Sequence, residues 1–241
     1  MLQLRYRVYV EFFEKLRNVR TLQIKMAQVL KLTFNPFQEN TYVVFDESGE
    51  CVIFDPGCYT TEEKQLLVKE IERKGLRPVR LINTHCHIDH VFGNQFVADH
   101  YGLGLEIHSG ELPVLKAAPQ SALFFGLSST GPLSPEPEKF IEEGDTVEFG
   151  QTKLKAILTP GHSPASLSFF CEDSRFVIAG DVLFYGSIGR TDLPGGDFRT
   201  LINSIVQKLF PLGDDVVVYS GHGPDTNIGY ERMHNPFLTG R

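Results

Sequence analysis

The order of apolar patterns along this chain predicts an α/β sandwich made of two β-then-α halves, packed sheet to sheet with helices outside. A first group of strand patterns ends in a strong helix signal, and a second group, beginning near Asp145, ends in another. The length, 241 residues, suits one two-layered sandwich. Residues 26–241 are therefore expected to form a single domain.

Strands come first. "VLKLTF" (29–34), "NTYVVFD" (40–46) and "CVIFD" (51–55) are rich in β-branched and aromatic residues, and Ser48 and Gly49 supply a turn between the last two. "TTEEKQLLVKEIERKG" then pairs Thr60 with Glu63 as a capping box, sets Leu66, Leu67 and Ile71 on an apolar face and stops at Gly75, so a helix is expected. "VRLIN" (79–83) is too short for a helix and reads as a buried strand. Phe92, Phe96, Val97 and Tyr101 fall at helical spacing before Gly102. The stretch from Pro119 to Pro137, rich in Pro, Gly and Ser, reads as a linker between halves or a loop lining a cleft. In the second half "TVEFG", "TKLKAIL", "ASLSFFC", "RFVIAGD" and "DVVVYS" read as strands. "DFRTLINSIVQKLF" is expected to place Leu201, Ile202, Ile205, Val206 and Leu209 on one helical face.

Composition removes several function classes. No apolar run approaches the roughly 20 residues that span a bilayer. Net charge is −7; residues 1–25 hold six Lys/Arg and two Glu, or +4, which leaves −11 on residues 26–241 and offers poor steering toward nucleic acid. Cys51, Cys58, Cys86 and Cys171 have no C-x-x-C spacing, as expected of a cytoplasmic protein rather than a disulfide framework. Residues 1–25 lack the uninterrupted apolar region of a signal peptide and are read as an N-terminal extension of uncertain status, with Met26 standing just before the first strand pattern.

The chemistry is concentrated in "THCHIDH", residues 84–90, directly after the strand "VRLIN". Side chains 85 and 87 share a face while the backbone stays extended, and 89 and 90 reach a second point if the chain turns helical there. Imidazole and carboxylate suit Zn²⁺, and Fe²⁺ or Mn²⁺ as well, so His85, His87, Asp89 and His90 predict two adjacent metal positions, with Cys86 pointing away. Four ligands cannot close two sites. Further donors are required at other strand ends, and His162 in "TPGHSPAS", Asp181 in "VIAGDVLF" and His222 in "VVYSGHGP" each stand just past a strand in a Gly- or Pro-containing turn.

"THCHIDH" matches the T-H-x-H-x-D-H signature of the metallo-β-lactamase-fold superfamily, and "GDVLFYGSIGRTDLPGGD" (180–197) with "GHGPDTNIGYERMHNPF" (221–237) resembles its short glyoxalase-II-like hydrolases. The resemblance implies a four-layer αββα sandwich. It also implies that His85, His87 and His162 hold one metal, that Asp89, His90 and His222 hold the second, and that Asp181 bridges both. The implied function is hydrolysis of a small acyl thioester of the S-lactoylglutathione type by a metal-bridging hydroxide, with two divalent ions, Zn first, as cofactors and Asp89 orienting the nucleophile. Longer glyoxalase II enzymes add a helical C-terminal domain that contacts glutathione, whereas nineteen residues follow His222 here; the thioester chemistry is thus a firmer expectation than the glutathione carrier. Persulfide dioxygenases, which share "GRTD" (189–192), imply an alternative with one iron on His85, His162 and Asp181, and a lactone or ester hydrolase of the same fold is another. Arg190 in that segment is a candidate for binding a substrate carboxylate.

Overall fold

The computed structural model describes residues 26–127 and 133–240. The readings made for residues 1–25 lie outside these residues, as does part of the Pro119–Pro137 stretch. Two six-stranded sheets form the centre. The first runs in the order β1 (Gln28–Phe34), β2 (Glu39–Phe45), β3 (Glu50–Phe54), β4 (Arg77–Ile82), β5 (Leu105–Ile107) and β6 (Pro137–Phe140). Its first three strands are antiparallel and its last three pair parallel. The second sheet takes the order β14 (Thr226–Asn227), β13 (Val217–Ser220), β10 (Phe176–Gly180), β9 (Leu167–Cys171), β8 (Thr152–Leu158) and β7 (Thr146–Phe149). A small hairpin, β11 (Leu183–Phe184) and β12 (Ser187–Ile188), follows β10.

Strand alternation divides the core into three layers. On β2 and β3, Tyr42, Val44, Val52 and Phe54 point between the sheets and meet Leu154, Phe169, Phe176 and Ile178 of the second sheet. Their neighbours Val43, Phe45, Cys51 and Ile53 point the other way, onto Leu67, Ile71, Val97 and Leu115 from the outer helices. Every residue of β2 is therefore buried, because both faces of the strand are covered. Beyond the second sheet, Val177, Ala179 and Val218 pack on Leu201, Ile205 and Leu209. The four layers are helix, sheet, sheet, helix, as expected.

The helices are α1 (Thr61–Arg73), α2 (Ile88–Val91), α3 (Asn94–Tyr101), α4 (Leu112–Phe124), α5 (Phe198–Ser204), α6 (Ile228–His234) and α7 (Pro236–Thr239). The Thr60 hydroxyl accepts from the Glu63 amide and the Glu63 carboxylate accepts from that of Thr60, which completes the capping box at α1. No helix among the described residues is long and apolar enough to cross a membrane.

Four local expectations need correction. Leu66 is exposed, because the buried stripe of α1 is carried by Leu67 and Ile71 alone. The helical pattern from Phe92 to Tyr101 begins as a separate element after Gly93, whose amide is tied to the Pro56 carbonyl. After α5 the backbone widens into a π turn over Ile205–Leu209, and Val206 points to solvent while Ile205 and Leu209 stay buried. Residues Pro119–Phe124 are helix rather than linker: α4 begins at Leu112 and tolerates the exposed Pro119 because Leu115, Ala118 and Ala122 bury its other face.

Candidate metal centre

The seven predicted donors converge at one edge of the sandwich. β4, β8, β10 and β13 all end there, and the sheets are joined at that edge by the Asn40 amide donating to the Gly221 carbonyl and the Asn40 side-chain amide donating to Ser220. His85 lies in the bend after β4, His87 is in extended backbone, and the chain then turns into α2, which carries Asp89 and His90. His162 follows β8, Asp181 follows β10 and His222 follows β13.

Two groups of three donors form, His85 with His87 and His162, and Asp89 with His90 and His222; within each group the donor atoms lie within 4.8 Å of one another. Asp181 sits between the groups. Its Oδ2 is 3.4 Å from His162 Nε2 and 3.5 Å from His222 Nε2, and its Oδ1 is 3.4 Å from His90 Nε2. Asp89 Oδ2 is 3.1 Å from His222 Nε2. Gly221 is required by this crowding, since a Cβ there would collide with Asp181 Oδ1 and stand 2.9 Å from His90 Cε1.

The outer nitrogens of the rings decide which atoms face inward. His162 Nδ1–H donates to the Arg190 carbonyl at 2.7 Å, and His222 Nδ1–H to that of Phe37 at 3.0 Å. His90 Nδ1–H donates to Asp55 Oδ2 at 3.1 Å. The Thr84 hydroxyl gives its own proton to Asp55 at 2.6 Å and accepts from His85 Nδ1–H at 3.1 Å. In these four rings Nδ1 is engaged outward, which leaves Nε2 facing the centre as the atom that can coordinate a cation. His87 is turned round and presents Nδ1, 2.8 Å from His162 Nε2.

The donor set fits a pair of divalent cations. Among the described residues, His85 Nε2, His90 Nε2 and Asp181 Oδ1 are fully buried with no hydrogen-bond partner. Buried polar atoms left without a partner in this way are costly unless something satisfies them. Burial drives the His85 imidazole well below its ordinary value, with His90 and His87 adding to it, and pushes His87 down to about 3 with the help of His162, so both rings are neutral donors. Burial opposes charge on His90 as well, but Asp181 and Asp89 outweigh it and hold that ring well above its ordinary value. Asp181 is held well below the carboxylate range against its own burial, chiefly by His90. A third cluster, Asp55 with His85 and His90, is not a further metal position: both oxygens of Asp55 are filled by donors from Thr84, Asn83 and His90. Cys86 points away, into the core beside α4, as expected.

Two positioning carboxylates escape a ligand-based reading of the sequence. Asp55 orients His90 and Thr84, and the rule that picks Asp181, an acid just past a strand in a Gly/Pro turn, also picks it from "VIFDPG". Glu111 is fully buried at the start of α4. It accepts from the Cys86 amide at 3.0 Å, the Ala165 amide at 2.8 Å and the Ser163 hydroxyl at 2.7 Å, which ties the loop bearing His85 and His87 to the loop bearing His162. No feature of "HSGELP" announces this, because two of the three donors are backbone.

The metallo-beta-lactamase superfamily model matches residues 34–222, a span that contains all seven donors. The chain belongs to that superfamily. Like the probable metallo-hydrolase YqgX of Bacillus subtilis, to which it is 38% identical over 87% of this chain and 97% of the relative, it is a compact member. It is 35% identical to hydroxyacylglutathione hydrolase GloC of Haemophilus influenzae, over 85% of this chain and 95% of that one. Human mitochondrial persulfide dioxygenase ETHE1 is 33% identical over 83% of this chain and 71% of the relative. Among solved structures, TTHA1623 in a di-iron-bound form superposes with a TM-score of 0.77 at 37% identity, covering 87% of this chain and 100% of that one.

Proposed function

We propose that this superfamily member is a dinuclear metallohydrolase that cleaves small acyl thioesters, with S-lactoylglutathione as the reference substrate. His85, His87 and His162 would hold one cation, Asp89, His90 and His222 the other, and Asp181 would contact both. The observation that supports this most is the position of Asp181, whose two oxygens face histidines of both triads. Zn²⁺ suits this mixed imidazole and carboxylate set, as do Fe²⁺ and Mn²⁺. Bound there, two divalent ions lower the pKa of water and polarise an acyl carbonyl.

The chain's own contribution is orientation. Asp89 is held below its ordinary carboxylate value because, against burial, His90 and the hydrogen bond from His222 favour its charge. An ionised Asp89 accepts a hydrogen bond from the attacking water and fixes its approach, which makes it the proposed catalytic residue. Asp55, Thr84 and the Phe37 and Arg190 carbonyls keep the rings from turning. In the overall reaction the water oxygen bonds to the carbonyl carbon, the carbon–sulfur bond breaks, and the thiol leaves with a proton from the water. The four unpaired, buried cysteines fit a reducing compartment, so we assign the protein to the cytoplasm.

Metal content per chain, measured on the same sample as thioester hydrolysis, tests this reading. The expectation is two cations per chain, hydrolysis of S-lactoylglutathione, and loss of both on chelation. One iron per chain with oxygen consumption on glutathione persulfide would replace it with the dioxygenase reading, which the ETHE1 similarity favours and the complete second triad disfavours. Turnover of lactones or simple esters without thioesters would keep the metal pair and change the substrate.

A further inference from the structure

A cavity of about 730 Å³ opens directly onto the donor cluster, with His87, Asp89, His162, Asp181 and His222 at its floor. Its walls are apolar. Val114 and Ala117 line one side from α4, Phe37 and Phe125 meet edge to face with ring centroids 5.3 Å apart, and Ile188 and Leu193 stand in the wall as well. Among the described lining residues the single Lys or Arg is Arg190. Its Nε and terminal nitrogen each donate to an oxygen of Asp192 at 2.7 Å, so a substrate carboxylate would have to compete with Asp192 for it.

Among the described lining residues a thiol carrier with two carboxylates, such as glutathione, finds no unpaired Lys or Arg, whereas an uncharged hydrocarbon arm finds an apolar wall that ends at the reacting centre. We infer that this site selects acyl thioesters with uncharged, apolar acyl chains. The inference rests on the thioester reading above and narrows it: the wall from α4 sets the acyl preference. Chain length is the quantity to vary, because burying each methylene in such a pocket favours binding about threefold to fourfold.

Hydrolysis by metal-loaded protein is measured on acetyl, butyryl, hexanoyl and octanoyl thioesters of N-acetylcysteamine, beside S-lactoylglutathione. Alongside it, calorimetry follows binding of inert methyl and hexyl thioethers of N-acetylcysteamine. The expected result is a kcat/KM that rises about threefold per methylene up to hexanoyl and exceeds that for S-lactoylglutathione, with the hexyl thioether binding at least about 50-fold tighter than the methyl. Ala117→Arg, at an exposed position of the wall, is expected to cut the hexanoyl-to-acetyl ratio at least about tenfold, since a cation there is forced against the chain. Hydrolysis with no dependence on chain length, or with S-lactoylglutathione preferred, overturns the inference and leaves the thioesterase intact. Tight hexyl thioether binding without turnover of any thioester keeps the apolar acyl site and overturns the reaction. Failure of both measurements overturns both.

Discussion

Replacing Glu111 by Gln separates the stability of the fold from the quality of the metal centre. The carboxylate accepts four hydrogen bonds from three groups, the Cys86 and Ala165 amides and the Ser163 hydroxyl, the last shared between both oxygens. A glutamine keeps the volume but turns one acceptor into a donor, so one of the two buried amides must face another N–H. An unsatisfied buried amide costs about 1–3 kcal/mol. Part of that is returned, because burial holds the Glu111 carboxyl above its ordinary value despite these bonds; its charge is unfavourable there, and glutamine removes it. The net loss of stability is therefore small, about 1 kcal/mol.

The effect on the cations is larger. The lost bond loosens either the segment between His85 and His87 or the one after His162, and supporting groups of this kind are worth about tenfold to 100-fold in metal affinity. Competition with a chelator of known affinity measures the Zn²⁺ affinity, and urea unfolding in excess chelator measures the stability. Ser163→Ala is the control: it removes one donor and leaves both amides with acceptors, so a change under about threefold is expected. If Glu111→Gln binds Zn²⁺ as tightly as the parent while losing several kcal/mol in urea, the carboxylate braces the core and does not position the ligands. If neither quantity moves, the two loops are held by something else.

Three other perturbations have signs fixed by the structure. Each cation present at 100 times its dissociation constant adds about 2.7 kcal/mol of stability, so chelation is expected to lower Tm by about 5 to 10 °C for each site emptied, as read by calorimetry. Gly221→Ala forces a methyl against Asp181 and His90 and is expected to lower metal affinity more than tenfold, with circular dichroism showing the strands intact. Asp46 joins the end of β2 to the β7–β8 turn, and although burial pushes its carboxyl up, bonds from Ser48, Gln151 and Thr152 outweigh this and hold it below the ordinary range. The unfolded chain takes up its proton first, so this contribution is complete above the ordinary carboxylate pKa, about 3.9, and is lost as pH falls through the folded value. Asp46→Asn is accordingly expected to cost about 1–3 kcal/mol at pH 7 and markedly less at pH 3, measured by urea unfolding in chelator.

The candidate donors that converge at one edge were legible in the sequence, and the groups that hold them largely were not, for a physical reason. A metal ligand must be one of a few residue types, and His162, Asp181 and His222 each stand just past a strand, so they advertise themselves by identity and by the apolar run before each. The orienting partners of His162 and His222 are the carbonyls of Arg190 and Phe37, and a carbonyl has no sequence signature. Glu111 fails for the converse reason: its type is common, and its amide donors belong to Cys86 and Ala165 irrespective of their side chains. The same blindness hid α4. Pro119 opens the Pro-, Gly- and Ser-rich stretch that reads as a linker or loop, and the helical character of α4 comes from Leu115, Ala118 and Ala122 burying one face, while Pro119 stands exposed on the other. That helix both places Glu111 behind the histidines and supplies the apolar wall before them. In the proposed reaction, substitutions along the wall of α4 are therefore expected to change which acyl group is cleaved sooner than whether cleavage occurs.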